Sequence, residues 1–322
     1  MRLKTVDAVR AMAIVLVVLG HALIYANSGR FLMGFIYSFH MSLLFVLSGF
    51  VAAASWKRSD VEPDLGFAVR KIARSARRLL VPYAICGAVV VPFVNAFLTH
   101  RYAESFLNGW RNAFMLNKFL WYLPCCFFLV CIFVAVSLAA RHGSALRRWV
   151  VVGAAFGMVV ALRLLLPGVD YIRSVMSYFL PFFAGVWLWS RRDVVLEPSP
   201  WLVAVTSVVF VVLATTYASL PEMPLMVKGI VKPLAGIAAL FPMMAVVRRL
   251  RGALADGVAN LGRITLFLYC FDFCATPITV WYILPHGVAS SCAVAFGVVT
   301  LGVFLKLAFE YAILPEIKRV AS

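Results

Sequence analysis

The sequence predicts an all-α polytopic bundle of transmembrane helices, and three observations carry that prediction. Of its 322 residues 64% are hydrophobic and 13% charged, with mean hydropathy +0.96; a soluble domain carries about 25% charged residues. Apolar runs of the roughly 20 residues needed to cross a bilayer recur along the whole chain. The cations behind the net charge of +17 crowd into alternate short loops between those runs. They read as topology signals, and no basic face on a soluble module remains to bind nucleic acid. A single domain, 1–322, is expected, without internal repeats or low-complexity tracts.

About ten spans are expected, near 7–26, 32–55, 79–98, 119–140, 149–166, 174–190, 201–219, 229–247, 264–283 and 289–311. Arg2 and Lys4, the run from Arg70 to Arg78, Arg147 and Arg148, Arg191 and Arg192, Arg248 to Arg251, and Lys318 and Arg319 all fall on one side. The other side holds only Arg30, Arg101, Arg111, Lys118, Arg173 and Lys228. The positive-inside rule then places both termini in the cytoplasm. Arg2 and Lys4 before an apolar run suggest a signal peptide, but Asp7, Arg10 and His21 in that run argue for a mature helix. Seven cysteines form no C-x-x-C pair, so neither a zinc site nor a redox motif is expected.

The first span, TVDAVRAMAIVLVVLGHALIYAN at 5–27, carries the costliest residues. A charge at the centre of a lipid-facing helix costs roughly 2.5–3.5 kcal/mol, so it faces protein or water instead. His21 follows Arg10 by three helical turns plus about 20°, and Asp7 precedes it by three residues. One polar stripe therefore runs along the helix, with Arg10 and His21 about 16 Å apart along its axis. End-anchoring by snorkelling is the competing reading for Asp7 and Arg10.

The second span contains FHMSLLFVLSGF at 39–50. His40 enters it about 13 Å from the outer face and His21 lies about 9 Å from that face, so the two histidines can form an outer polar site. Gly49 permits close helix approach. Loop 56–78 contains a short amphipathic helix in which Arg70, Lys71, Arg74, Arg77 and Arg78 recur at helical spacing. Attraction to anionic lipid and a cradle for a phosphorylated cofactor both fit that charge. Trp121 and Tyr122 open the fourth span, as interfacial anchors or as the lining of an outer cavity. In the ninth span Asp272 needs a partner about 12 Å from the cytoplasmic face; Arg10 can reach it, in competition with Asp7.

In order and spacing these motifs resemble the acyltransferase-3 family of integral membrane O-acyltransferases, which modify cell-envelope and exopolysaccharide glycans. The carrying residues are Asp7, Arg10 and His21; FHMSLLFVLSGF, with Ser42 where Pro is usual; Arg74, Arg77 and Arg78 before Pro82 and Tyr83; Leu120 to Leu123; FFAGVWL at 182–188; and Gly262, Thr265, Tyr269 and Asp272. Members commonly carry His where this chain has Asp272. The resemblance implies a bacterial inner-membrane enzyme. It would move an acyl group, acetyl first among candidates, from cytoplasmic acyl-CoA to a sugar hydroxyl of a glycan or glycolipid acceptor, without a metal. It implies His21 as general base or acyl carrier. Asp7 joins the catalytic stripe, and Arg10 binds CoA phosphate or stabilises an oxyanion. Arg74, Arg77 and Arg78 hold CoA phosphates; His40, Trp121, Tyr122 and Asp272 line the substrate site. The rival class is a proton-coupled transporter using the same stripe, although neither pseudo-symmetric halves nor a broken first helix is evident.

Overall fold

The computed structural model describes residues 3–56, 64–90, 120–141, 144–220, 222–283, 287–309 and 311. These residues are mostly helical, without strands among them, in thirteen α-helices and one π-helical turn. In chain order the helices are α1 (Lys4–Tyr25), α2 (Arg30–Tyr37), α3 (His40–Trp56), α4 (Leu65–Ile85), α5 (Tyr122–Ala139), α6 (Ala145–Leu165) and α7 (Asp170–Trp189). Then come α8 (Arg192–Leu196), α9 (Pro200–Ser219), α10 (Leu225–Arg249), α11 (Gly252–Arg263), α12 (Thr265–Ile283) and α13 (Val288–Ala308). The π-helical turn, Cys86–Val90, follows α4 directly.

Local chemistry explains several starts. Asp64 caps α4 by accepting from the Phe67 amide at 2.6 Å, and Ser199 caps α9 ahead of Pro200 at its first position. Helix α4 is continuous from the amphipathic segment into the beginning of the expected third span; the remainder of that span, 91–98, lies outside the described residues, as does the outer loop 99–118.

Among the described residues seven helical segments are long and apolar enough to cross a membrane, which makes the chain a polytopic integral membrane protein. Arg30–Trp56 counts as one of them, as the second expected span requires. The expected spans 174–190 and 264–283 coincide with α7 and α12, helices of 20 and 19 residues. Helices α6 and α9 turn Trp149, Phe156, Leu165, Trp201, Val208 and Val212 outward, as lipid-facing helices do. Helix α3 is instead buried on nearly every side.

Three crossings at glycines fix the core. A Cβ on Gly49 would lie 1.9 Å from the Phe182 carbonyl oxygen, and one on Gly185 would lie 1.9 Å from that of Val46. The α3–α7 crossing therefore admits no side chain at either glycine. Gly236 of α10 faces Ser42 of α3 in the same manner, and Gly262 of α11 lies against the Asp7 backbone of α1. Helix α1 thus stands between α3 on one side and α11, α12 and α13 on the other. Of its charged stripe Asp7 is buried, and Arg10 and His21 are partly exposed.

Candidate active site

The C-terminal half of α1, the outer half on the topology expected from the loop charges, meets α12. His21 Nδ1 lies 2.6 Å from a carboxylate oxygen of Asp272, and Asp272 is wholly buried. A carboxylate only accepts, so the ring donates from Nδ1 and Nε2 is left as the basic nitrogen. The Thr276 hydroxyl donates to the other Asp272 oxygen. The helix geometry is simple: Thr265, Tyr269, Asp272 and Thr276 of α12 recur at three- and four-residue steps, which places them along one face. Gly20 brings α2 close, with the Tyr37 ring 2.9 Å from where its Cβ would stand. Desolvating an unpaired carboxylate costs several kcal/mol, so the His21 and Thr276 contacts are what allow Asp272 to sit there.

His40 plays a different part. The helix breaks at Ser38 and Phe39, between α2 and α3. His40 Nδ1 donates to the Ile36 carbonyl at 2.7 Å, and the ring packs edge-on to Tyr37 at 4.8 Å. The imidazole thereby satisfies a carbonyl at the break. His40 makes no hydrogen bond to His21 among the described residues.

The N-terminal half of α1, the inner half on the same expected topology, opens on a cavity of about 150 Å³. Arg10 and Ile14 line it from α1; Leu44, Ser48 and Ser55 from α3; Lys71, Ser75 and Arg78 from α4; Tyr122 and Cys126 from α5; and Thr265 and Tyr269 from α12. No carboxylate lines it among the described residues. Tyr122 shares a 2.7 Å hydrogen bond with Ser48 and meets Tyr269 edge-on at 5.6 Å. His21 is not in the lining; Tyr269, one turn before Asp272, is.

Three expectations change. Asp272 is bound to His21 and Thr276 rather than to Arg10, because α1 and α12 align with Asp272 level with the outer end of the stripe. Of the three arginines expected to form a cradle, all exposed on α4, Arg78 lines the cavity and Arg74 and Arg77 do not. The face is set by helical spacing: Lys71, Ser75 and Arg78 are four and three residues apart, and Arg70, Arg74 and Arg77 form the next row. Tyr122 lines the inner cavity, whereas Trp121 stacks on Tyr178 at 5.2 Å, and Tyr178 stacks on Phe45 at 4.4 Å. Leu120, just before them, holds the left-handed conformation at φ 53°, which is costly for a branched side chain. Asp7 is buried in the first turn of α1, at the crossing with α11.

Lys71 was missed as a site residue. It is 7% exposed and donates to the Ala52 carbonyl at 3.0 Å and to the Ser55 hydroxyl. The rings of Trp56 and Phe133 each lie 5.9 Å from its ammonium. Burial, reinforced by the Arg74 charge, lowers its pKa to about 8. Its position one turn before Ser75 was the available signal. Thr276 and Tyr37 were also missed, for they gain meaning only beside Asp272 and Gly20.

A family model described as an acyltransferase domain matches residues 3–309. The chain is 29% identical over 196 residues to a nodulation protein, NolL, of Sinorhizobium fredii, an alignment covering 58% of this chain and 48% of that one. The match thus spans about half the length of that relative. No solved structure matches.

Proposed function

Because the chain belongs to the acyltransferase-3 family, we propose that it moves an acyl group, with acetyl the leading candidate, from acyl-CoA to a sugar hydroxyl of a glycan or glycolipid. The observation that carries this reading is the His21–Asp272 hydrogen bond at 2.6 Å. It fixes the tautomer and leaves Nε2 free to take a proton, the arrangement a general base needs. The acceptor hydroxyl attacks the thioester carbonyl as His21 Nε2 removes its proton. The C–S bond then breaks, and the imidazolium returns that proton to the departing CoA thiolate. Acceptor ester and free CoA result, with His21 restored.

Arg10 belongs to the donor side. With about 16 Å of helix axis between it and His21, donor binding fits it better than oxyanion stabilisation at the point of transfer. CoA enters from the cytoplasm and its pantetheine arm carries the thioester past Tyr122 and Tyr269 towards His21. Both termini lie in the cytoplasm of a bacterial inner membrane, and the acceptor approaches from the outer half. Asp272, where relatives commonly carry His, positions the base in this chain.

Radiolabelled acyl-CoA transfer by membranes containing the wild-type chain or His21→Ala tests the reading. Label should pass to a glycan fraction with wild type and not with His21→Ala. Failure of wild type to transfer label to any glycan acceptor, together with solute uptake that requires His21, would establish the transporter reading instead.

A further inference from the structure

Lys232 places a cation inside the apolar bundle, on α10. Its direction follows from its neighbours. Ile230 and Leu234, two residues to either side, are exposed as lipid-facing residues are. At about 100° per residue they stand on the far side of the helix from Lys232. Gly236, one turn on, shares the Lys232 side and packs against Ser42 of α3. Lys232 therefore faces α3, and its charge acts on the His40 ring at the start of that helix. A snorkelling lysine runs out along a lipid-facing flank, and this one turns to the interior.

The site of proton transfer is close by. The His21 charge acts on the same His40 ring. Tyr37, edge-on to His40 at 4.8 Å, also meets Gly20 beside His21. The base and the cation thus approach one polar corner from two helices. Lys232 is half-buried, and 29% of the His21 side chain is exposed, so a ligand has access to both. The Lys232 ammonium stands 5.2 Å from the centre of the Tyr217 ring and makes no hydrogen bond or ion pair among the described residues. Attraction to the ring returns only about 2 kcal/mol, while a cation within a membrane bundle ordinarily pairs. His21 is already matched by Asp272; an anion brought by a ligand would match Lys232.

We propose that Lys232 is a specificity-determining residue that recognises an acidic group of the acceptor while His21 takes the proton of a neighbouring sugar hydroxyl. This rests on the transfer reaction proposed above and narrows its acceptor to an acidic glycan. A carboxylate or a phosphoryl group can each accept from the three donors of an ammonium, and Lys serves either as a point charge.

The test uses the full chain in phosphatidylcholine nanodiscs, radiolabelled acetyl-CoA, and glycan extracted from cells lacking the gene. The glycan is offered untreated, with its carboxylates capped by methylamine, or after phosphate removal. Lys232→Met should raise the KM for untreated glycan at least roughly tenfold, the weight of a charge-assisted hydrogen bond. Its kcat and its KM for acetyl-CoA should stay within about twofold of wild type, and Lys232→Arg should restore most of the loss. Capping or phosphate removal, whichever removes the recognised group, should weaken wild type by the same factor and leave Lys232→Met unaffected. Equal KM values for wild type and Lys232→Met overturn the proposal and leave the transfer reading standing. So does a wild type indifferent to both treatments, a result that does not depend on the variant folding. A lipid headgroup is the rival anion. Should phosphatidylglycerol nanodiscs raise the glycan KM tenfold in wild type and not in Lys232→Met, the headgroup occupies Lys232 and the acceptor assignment falls. No transfer by wild type to any form of the glycan would remove the transfer reading and this inference together.

Discussion

The two ends of the α1 stripe are built on opposite electrostatic plans. At the outer end, His21 meets Asp272, and Thr276 donates to the second carboxylate oxygen. Each charge of that pair is answered from within the protein. At the inner end, Arg10, Lys71 and Arg78 line one cavity, with no carboxylate among the described lining residues. The outer end is an ion pair that orients a base; the inner end is a basic cavity. A transferase needs both, since positioning a donor and moving a proton are separate tasks. Between them stand Tyr122 and Tyr269 in edge-on contact at 5.6 Å.

Breaking the frame should remove both ends together. Gly185→Leu forces a side chain into the α3–α7 crossing, where a Cβ alone would sit 1.9 Å from a carbonyl. We expect no monodisperse protein by size-exclusion chromatography, and therefore neither transfer nor CoA binding. His21→Ala breaks the outer end alone: transfer should fall by about 10²–10⁴ while CoA affinity stays at the wild-type value by equilibrium binding. Tyr122→Phe removes the bond to Ser48 that lies between the ends. One hydrogen bond of about 0.5–1.5 kcal/mol predicts a two- to tenfold fall in kcat/KM, read from initial rates at varied acyl-CoA.

The smallest effect concerns the inner end without ligand. Lys71 has a folded pKa of about 8, against about 10.4 unfolded. The cations Arg10, Arg74 and Arg78 and the neutral groups Tyr122, Cys126 and Tyr269 surround it or share its cavity. Between those pH values the folded state holds fewer protons than the unfolded chain, so stability rises with pH across the window. Relative to Lys71→Met, the wild-type Tm in detergent should rise from pH 8 to pH 10. A difference that stays flat or falls contradicts a buried, uncompensated ammonium.

Much of this was legible in the sequence. Hydropathy and the loop charges specified an all-α membrane bundle, and the three-turn spacing from Arg10 to His21 specified one polar stripe. Gly49 was legible as a crossing point because small residues allow backbones to approach. What the sequence could not settle was axial register between helices. Whether Asp272 is level with Arg10 or with His21 depends on how α12 slides along α1, and the contact of Asp272 with His21 shows which. Rotation of α4 was equally hidden. Arg74, Arg77 and Lys71 look alike in a basic run, and only the neighbouring Trp56, Phe133 and Ser55 turn Lys71 inward.

The central claim is that His21 and Asp272 work as one unit, and a double-mutant cycle on transfer rate tests it most directly. His21→Ala, Asp272→Asn and the double variant are compared at saturating acyl-CoA, with CoA affinity confirming that each is folded. Asp272→Asn should slow transfer by about 10²-fold or more. The double variant should be no slower than His21→Ala alone, because once the base is gone its orienting partner has nothing left to orient. Asp272→Asn at the wild-type rate, or a double variant slowed by the product of the two single losses, would contradict the account.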